Sequence, residues 1–437
     1  MIELTPLLIL LVLFVAILIL VMAGMRIGFA LMAIGVISLV IFPRKPLLQP
    51  MAEVCWSQLN NFTLTAVPLF IFMGELITSG KIGEQLYHAA ERWLSHLPGG
   101  LANANIGSCA VFAALSGSSI ATAAAIGSVA IPAMEKRKYN ARLIFGSLGA
   151  GGTLGILIPP SITMILYGYI GNVSIGKLFI GGFIPGIMLA VSFIFYIMLW
   201  SWRSPSIAPK LSQRASFWEM LYASGKALPS IILIVLVLGS IYMGVATPTE
   251  AAAVGAFGAL LINIFQRQFS WRMLQKCLKS TVYTTAMIGL IMIGAMMVAF
   301  TLHIMRVPIV LSEAITASGI NRYVALVFVN LLIYVLGCFI DGISIILIMT
   351  PILTAMMTAL GFDLVWWGVI FTINIEVSLL TPPVGMNLFV LKGIAPHAEM
   401  KDIILGVLPY VCILTLGIIA LTIWPQVVLW LPKLLMP

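Results

Sequence analysis

Long apolar stretches separated by short polar segments run through the whole chain. We place a membrane span wherever about 20 residues are mostly apolar, because a helix of that length crosses the hydrocarbon core of a bilayer. The predicted spans cover residues 4–23, 27–43, 62–79, 143–170, 178–202, 227–245, 250–266, 280–302, 362–391 and 402–425. The pattern therefore predicts an all-α polytopic membrane protein.

Two further stretches, near residues 100–134 and 322–358, have apolar flanks around a tip of small or polar residues. We predict re-entrant hairpins there, because a full crossing would reverse every later loop and weaken the asymmetry of basic charge across the membrane. A short amphipathic stretch precedes each hairpin. The longest polar segments are predicted as loops, at residues 135–142, 203–226 and 266–279.

Two Pro-Pro pairs, Pro159-Pro160 and Pro382-Pro383, interrupt apolar spans in corresponding places of the two halves. A proline lacks the backbone N–H and clashes with the carbonyl four residues back, so each pair breaks its helix. The carbonyls that lose their donors are those of Gly155, Ile156, Ser378 and Leu379. Matched interruptions in two halves indicate the binding site of a secondary transporter, where non-helical backbone lines a cavity.

Aligning the halves on these pairs reveals a weak repeat. Each half has an amphipathic stretch, a hairpin, a broken helix and a further span, and the repeats cover residues 62–202 and 280–437. With both termini outside, the first hairpin opens to the cytoplasm and the second to the outside. The fold is therefore predicted as an inverted repeat, whose hairpin tips meet the broken helices near the midplane of the bilayer.

Composition supports this reading and excludes several functions. Of the 437 residues, 61% are hydrophobic and only 8% are charged, and the mean hydropathy is +1.13, far from soluble domains. We find no phosphate-binding loop and no catalytic constellation, so we predict neither an enzyme nor an ATPase. The five cysteines are scattered and the four histidines lack metal-site spacing, which indicates neither a disulfide framework nor a metal cluster.

The net charge of +9 reflects mainly the orientation of the chain in the membrane, because most Lys and Arg residues fall in loops that the predicted topology places in the cytoplasm. A role in lipid binding for the basic segment at residues 135–142 is the alternative. Membrane lipid is otherwise the expected surrounding of the chain.

The tip of the first hairpin is rich in hydroxyl groups. Ser116 and Ser119 are three apart and Ser118 and Thr122 four apart, so their hydroxyls occupy neighbouring positions if the segment is helical. A hard cation such as sodium is bound by oxygens of this kind together with freed carbonyls. The alternative is that small residues only permit close helix packing. Because a proline-broken helix follows, we favour the ion site.

The tip of the second hairpin carries Asp341 between apolar residues, where an acid marks a functional site. Its roles, in order of preference, are to ligate a cation, to carry a proton or to cap a helix. Glu75 and Glu376 are the other acids at membrane depth, and each has a scaffold partner as its alternative. Glu250 belongs to a predicted capping box that opens the span at 250–266.

Four segments, at residues 117–132, 152–162, 247–256 and 381–390, closely resemble the large membrane subunit of tripartite ATP-independent periplasmic (TRAP) transporters. The resemblance covers essentially the whole chain. It implies a sodium-coupled importer of carboxylate-bearing organic solutes in the bacterial inner membrane, with no cofactor besides sodium ions. It also implies a small four-helix membrane subunit and a periplasmic solute-binding protein as partners. An elevator-type movement against a scaffold, built from residues 1–61 and 203–279, is implied as well.

Carried over to this sequence, the resemblance implies sodium ligation by Ser116, Ser118, Ser119, Gly152 and Gly155 in the first half. In the second half, it implies ligation by Gly337, Asp341, Thr381 and Gly385. Thr122 joins the first set through its spacing from Ser118. No arginine clamp for a carboxylate lies at membrane depth, so we predict that hydroxyls, amides and helix starts hold the solute. The residues concerned are Ser119, Thr153, Pro159 and Asn387.

Two other functions compete with this interpretation. A single-chain sodium/anion symporter would show the same inverted repeat and would transport free solute without a binding protein. Residues 250–256 superficially match the coupling loop of ATP-driven permeases, but they continue into an apolar span. Dicarboxylate members of the family often carry Glu-Pro-Ser in the second tip where this chain has Asp341-Gly-Ile, and this departure does not favour a C4-dicarboxylate solute.

Overall fold

The protein, seen in a computed structural model that describes residues 5–42, 48–209, 216–317, 319–382 and 385–436, is built from helices joined by turns. The first ten helices are α1 (Pro6–Met22), α2 (Ile27–Ile41), α3 (Leu48–Leu59), α4 (Ala66–Ser79), α5 (Ile82–Leu94), α6 (Leu101–Ser116), α7 (Ser119–Lys136), α8 (Ala141–Leu157), α9 (Ile162–Ile170) and α10 (Ile175–Arg203). The others are α11 (Phe217–Tyr242), α12 (Pro248–Phe265), α13 (Trp271–Ile304), α14 (Val307–Ala317), α15 (Arg322–Gly337), α16 (Gly342–Ala359), α17 (Leu364–Leu380), α18 (Met386–Ile394), α19 (Met400–Ile423) and α20 (Gln426–Leu435).

Eight helical segments among the described residues are long and apolar enough to cross a membrane. Seven of the ten predicted spans coincide with these segments, whereas those at 4–23, 27–43 and 362–391 correspond to the shorter apolar helices Leu8–Met22, Ile27–Ile41 and Leu364–Leu380. The helical architecture confirms an all-α polytopic membrane protein. The predicted limits at residues 4 and 43 lie outside the described residues. The segment Gly342–Ala359 is one of the eight, and it forms the second arm of the hairpin that the sequence predicted.

All three polar segments predicted as loops are partly helical: residues 135–136 and 141–142 of the first belong to α7 and α8, and the other two contain longer helical stretches. Helix α11 begins at Phe217 and α13 at Trp271, so residues 217–226 and 271–279 belong to helices. Local capping explains both starts: Glu219 accepts the backbone N–H of Ser216 at 3.0 Å, and Ser270 Oγ accepts that of Met273 at 3.1 Å. A hydropathy window registers the apolar length of a helix and not the capping groups at which it begins.

Two helices were not predicted at all, α3 and α20. With 12 and 10 residues they are too short to register as spans. Helix α20 packs against α10 and α17 and buries Val428 and Pro432. The capping box that was predicted before α12 is confirmed, since Thr247 N–H donates to Glu250 Oε2 at 2.8 Å and Glu250 N–H donates to Thr247 Oγ1 at 3.3 Å.

The two halves repeat the same order of elements. In the first half, α4 and α5 lead to the hairpin α6–α7, the broken helix α8–α9 and the long helix α10. In the second half, α13 and α14 lead to the hairpin α15–α16, the broken helix α17–α18 and the long helix α19. The predicted division between residues 279 and 280 falls within α13, which is continuous from Trp271 to Ile304.

The repeats interlock at their centre. Helix α7 of the first hairpin packs against α18 of the second half, and α16 of the second hairpin packs against α9 of the first half. Helices α8 and α19 meet at backbone distance, since a Cβ on Gly146 would lie only 2.3 Å from the carbonyl oxygen of Gly406. Small residues permit this approach, as in other membrane helix pairs. Each hairpin therefore touches a broken helix of the other repeat.

Candidate functional site

Both predicted helix breaks are present. Helix α8 ends at Leu157, and Ser161 caps α9 by accepting the backbone N–H of Met164 at 3.3 Å. Helix α17 ends at Leu380, and α18 starts after Gly385, which has a positive φ of 51°. Pro383 lies outside the described residues. One predicted consequence is wrong: the carbonyl of Ser378 is not free, because it accepts the backbone N–H of Thr381 at 3.2 Å.

The tip of the first hairpin is a sharp turn. Helix α6 ends at Ser116, Gly117 takes φ 60°, and Ser118 caps α7 by accepting the N–H of Ala121 at 3.3 Å. Ser116 and Ser119 therefore lie on different helices, so helical spacing does not relate them as the sequence suggested. The turn itself brings the oxygens together, because Ser116 Oγ and Thr122 Oγ1 are 2.8 Å apart.

The first tip packs directly on the glycine face of α8. A Cβ on Gly155 would lie 2.5 Å from the carbonyl oxygen of Ser118 and 2.7 Å from Thr122 Oγ1. A Cβ on Gly152 would lie 3.5 Å from the carbonyl oxygen of Ser119. The six residues predicted to ligate sodium in this half are thus brought together, with the hydroxyls and carbonyls of the tip packed against the face of α8 that carries Gly152 and Gly155.

Two predicted solute residues lie on the same broken helix. Thr153 is buried and its hydroxyl donates to the carbonyl of Ala150 at 2.6 Å. Pro159 is buried at the break, beside Pro160, whose carbonyl oxygen would lie 2.8 Å from a Cβ on Gly117. The helix break at Pro160 and the hairpin tip at Gly117 are therefore in direct contact.

The second tip repeats this contact on α17. A Cβ on Gly337 would collide with the side chain of Ser378, 2.0 Å from its Oγ. The thiol of Cys338 donates to the carbonyl of Pro382 at 3.4 Å, which ties the tip to the second break. Thr381 and Gly385 flank that break, and a Cβ on Gly385 would lie 3.2 Å from the carbonyl oxygen of Thr381. Ser378 was not among the predicted site residues.

Asp341 caps helix α16. Its Oδ2 accepts the backbone N–H of Ser344 at 3.0 Å, and its Oδ1 accepts the hydroxyl of the same serine. The side chain is half-buried. Capping was the last of the three roles considered from sequence, and it is the one that these contacts display. Each carboxylate oxygen keeps a lone pair with which it can still accept or ligate.

The most informative contact crosses between the repeats: Ser119 Oγ donates to Glu376 Oε1. Glu376 is 1% exposed and faces the first hairpin tip, not a scaffold helix. Glu75, by contrast, accepts the hydroxyl of Ser280 on α13 at 2.7 Å. The only signal for Glu376 in the sequence was an acid inside an apolar span.

Asn387 lies on the first turn of α18, fully buried. Among the described residues, neither its Oδ1 nor its Nδ2 has a hydrogen-bond partner. A buried amide without partners is costly, which is typical of a group that serves a ligand. This placement fits the solute-binding role predicted for it.

Two cavities lie away from the tips. One, of about 830 Å³, is an open cleft between α5 and the start of α11, where Arg92 and Glu219 approach to 3.6 Å. The other, of about 490 Å³, is apolar and lies between α1 and the second hairpin. The first is lined by charged and amide side chains and the second by apolar ones, and neither includes a residue of the hairpin tips or the helix breaks, so cavity size does not locate the predicted site here.

Comparison with known proteins gives a consistent result. Residues 14–427 match the family described as the tripartite ATP-independent periplasmic transporter, DctM component. The C4-dicarboxylate TRAP transporter large permease protein DctM of Pseudomonas aeruginosa is 37% identical over 377 residues, which are 86% of this chain and 87% of that protein. The sialic acid TRAP transporter large permease protein SiaM of Vibrio cholerae is 31% identical over 414 residues, 94% of this chain and 96% of that protein.

The isethionate TRAP transporter permease protein DctMQ of Oleidesulfovibrio alaskensis is 34% identical over 377 residues. Those residues are 86% of this chain, and the chain spans 59% of the length of that protein. Among solved structures, the YdaH transporter of Alcanivorax borkumensis has a TM-score of 0.65 and 13% identity, and the match covers 94% of this chain and 98% of that one. At this identity, the likeness concerns the fold.

Proposed function

Because the chain belongs to the family of DctM components of tripartite ATP-independent periplasmic transporters, we propose that it carries out sodium-coupled uptake of an organic anion. It is a large permease subunit and not an enzyme. The two hairpin tips and the two helix breaks would hold the ions and the solute. The observation that carries the proposal is the contact of the first tip, with the hydroxyls of Ser116 and Thr122, on Gly155 of α8.

Sodium suits the chemistry of this cluster. The first half offers neutral hydroxyl and carbonyl oxygens and the second half adds the carboxylate of Asp341, and oxygens of both kinds favour a hard cation over a soft one. In the first half, the proposed ligands are Ser116, Ser118, Ser119, Thr122, Gly152 and Gly155. In the second half, they are Gly337, Asp341, Thr381 and Gly385. Two sites of this kind, one in each repeat, follow from the symmetry of the fold.

The solute would bind between the two tips. Ser119, Thr153 and Asn387 offer hydroxyl and amide groups, and Pro159 shapes the wall. The first turns of α7, α9 and α18 add backbone N–H groups at positive helix ends, which attract an anion. The relatives named for C4-dicarboxylate and sialic acid support an organic acid as the solute class.

Two protein partners complete the proposed transporter: a small four-helix membrane subunit and a periplasmic binding protein that delivers the solute. The names of the relatives as permease proteins of TRAP transporters support this arrangement. We place the complex in the inner membrane with both termini in the periplasm, surrounded by lipid. Movement of the hairpins and broken helices as one body against the remaining helices would expose the site alternately to the two sides.

The test is uptake of labelled organic acids into liposomes that contain this chain and its small subunit. Sodium gradients are imposed with and without the periplasmic binding protein, and potassium replaces sodium as the control. We expect uptake only with inward sodium and the binding protein. Uptake by this chain alone would establish the single-chain symporter instead, and uptake that follows ATP and not sodium would overturn both proposals.

A further inference from the structure

Glu376 is a buried acid that no predicted site includes. It lies in α17 with 1% of its surface exposed, and its Oε1 accepts the hydroxyl of Ser119. Its Oε2 is buried and has no hydrogen-bond partner among the described residues. Placing a carboxyl group in such surroundings costs free energy that an apolar side chain would not. A function other than packing therefore accounts for it better.

The contact joins the two repeats. Ser119 is the first residue of α7 in the first repeat, whereas Glu376 is 257 residues away, on the second broken helix. Helix α7 also packs against α18, which continues that broken helix. The tip of the first hairpin is thus fixed on one side by α8 of its own repeat and on the other by the second broken helix.

The direction of the hydrogen bond matters for ion binding. A serine hydroxyl that donates its proton to a carboxyl oxygen has its lone pairs turned away from that oxygen. An acceptor behind a ligating group orients it and raises its basicity, as groups behind metal ligands do elsewhere. Ser119 would therefore present an oriented oxygen to the cluster around Thr122 and Gly155.

We propose that Glu376 is a positioning residue, which orients Ser119 as an ion ligand and makes the ion site of the first repeat depend on the second broken helix. This inference rests on the proposed sodium coupling. In this proposal, Glu376 contributes an oxygen that accepts the hydroxyl proton of Ser119. A side chain of the same shape without an acceptor leaves Ser119 free to rotate, and the ion then binds more weakly.

Two substitutions distinguish the role of the acceptor oxygen of Glu376 from the role of its negative charge. Glu376→Gln keeps the oxygen that accepts from Ser119, whereas Glu376→Met has similar length and no acceptor. The matched control is Glu75, which accepts the hydroxyl of Ser280 on α13 and not that of a hairpin-tip residue. Glu75→Gln and Glu75→Met are made in parallel. All are assayed in the complete transporter by the sodium concentration for half-maximal uptake, by the solute KM at saturating sodium and by the sodium-induced shift of the melting temperature.

We expect Glu376→Met to raise the half-saturating sodium concentration about tenfold, which corresponds to the loss of one hydrogen bond to an ionisable group. Glu376→Gln should stay within about threefold of the wild type, and both Glu75 variants should match the wild type. The sodium-induced melting shift should shrink in Glu376→Met alone, which reports ion binding without transport. Adding Glu376→Met to Ser119→Ala should produce no further shift, since the two act through one contact.

Several results would overturn the inference. Glu376→Met with wild-type sodium dependence would remove any role for the acceptor. Glu376→Gln as impaired as Glu376→Met would mean that the negative charge itself is required. If Glu376→Met does not fold, Glu376→Leu takes its place with the same expectations. A failure of the proposed sodium coupling can be distinguished from these results, because the wild type itself would then take up solute without sodium.

Discussion

Ser116 Oγ and Thr122 Oγ1 lie 2.8 Å apart across the tip of the first hairpin, although the two residues belong to different helices. Only one of the two hydroxyl protons forms this hydrogen bond, so both oxygens keep lone pairs that can bind a further partner. Replacing Thr122 with Val preserves shape and removes the hydroxyl. We expect the half-saturating sodium concentration for uptake to rise about tenfold, as one oxygen ligand is lost.

Thr372→Val is the matched control for that change. Thr372 is buried in α17 and its hydroxyl donates only to the carbonyl of Gly368 in its own helix, at 2.8 Å. The loss of the Thr372 hydroxyl should leave the half-saturating sodium concentration unchanged. An equal shift in both variants would mean that threonine hydroxyls act through helix stability and not through the ion.

The glycine face of α8 predicts a steric effect. In Gly155→Ala, the new methyl group would meet the carbonyl oxygen of Ser118 at 2.5 Å, a contact with backbone that no rotamer relieves. The hairpin must move away, and we expect uptake to fall at least tenfold with a loss of about 1–3 kcal/mol in stability. The measurements are uptake and thermal unfolding of the purified complex.

Gly289→Ala provides the comparison, since no described atom outside the local backbone of α13 lies within 4 Å of a Cβ built on Gly289. Alanine there should be neutral or slightly stabilising, because alanine favours the helix by about 1 kcal/mol over glycine. If Gly155→Ala behaved like Gly289→Ala, close packing of the tip on α8 would be refuted.

Asn387 should show opposite effects on stability and on uptake. Replacing it with Leu removes a buried amide that has no hydrogen-bond partner among the described residues, and such a group costs about 1–3 kcal/mol when unpaired. We expect Asn387→Leu not to lower the melting temperature while it raises the solute KM or abolishes uptake.

The contrasting variant is Asn263→Leu. Asn263 Nδ2 donates to the carbonyls of Leu76 at 3.1 Å and Ala259 at 2.9 Å, so it joins α12 to α4. Its replacement should lower the melting temperature. A parallel fall in Asn387→Leu would mean that Asn387 is structural and that the predicted role in solute binding is wrong.

Asp341 allows its two roles to be separated. Asparagine caps helices about as well as aspartate, so Asp341→Asn should keep the stability of α16, whereas Asp341→Ala should cost about 1 kcal/mol. If the carboxylate also ligates sodium, Asp341→Asn raises the half-saturating sodium concentration at unchanged melting temperature. Wild-type sodium dependence in Asp341→Asn would leave capping as its role.

The sequence was most informative about features that a short stretch of chain fixes. The Pro-Pro pairs break their helices because proline removes a donor wherever it stands, and Thr247 and Glu250 cap α12 because both groups lie within one turn. The starts of α11 and α13 were not predicted, because hydropathy registers apolar length and not the capping groups at Glu219 and Ser270 with which these helices begin.

The sequence by itself determined the polytopic class, the order of elements in the two repeats and the residue types at each tip, because apolar length, proline and small residues act locally. Only the tertiary structure decided which tips meet which breaks. The contact between Ser119 and Glu376, the approach of Gly337 to Ser378 and the packing of α7 on α18 join residues far apart in the chain. Such contacts depend on how whole helices pack, and no local pattern encodes that.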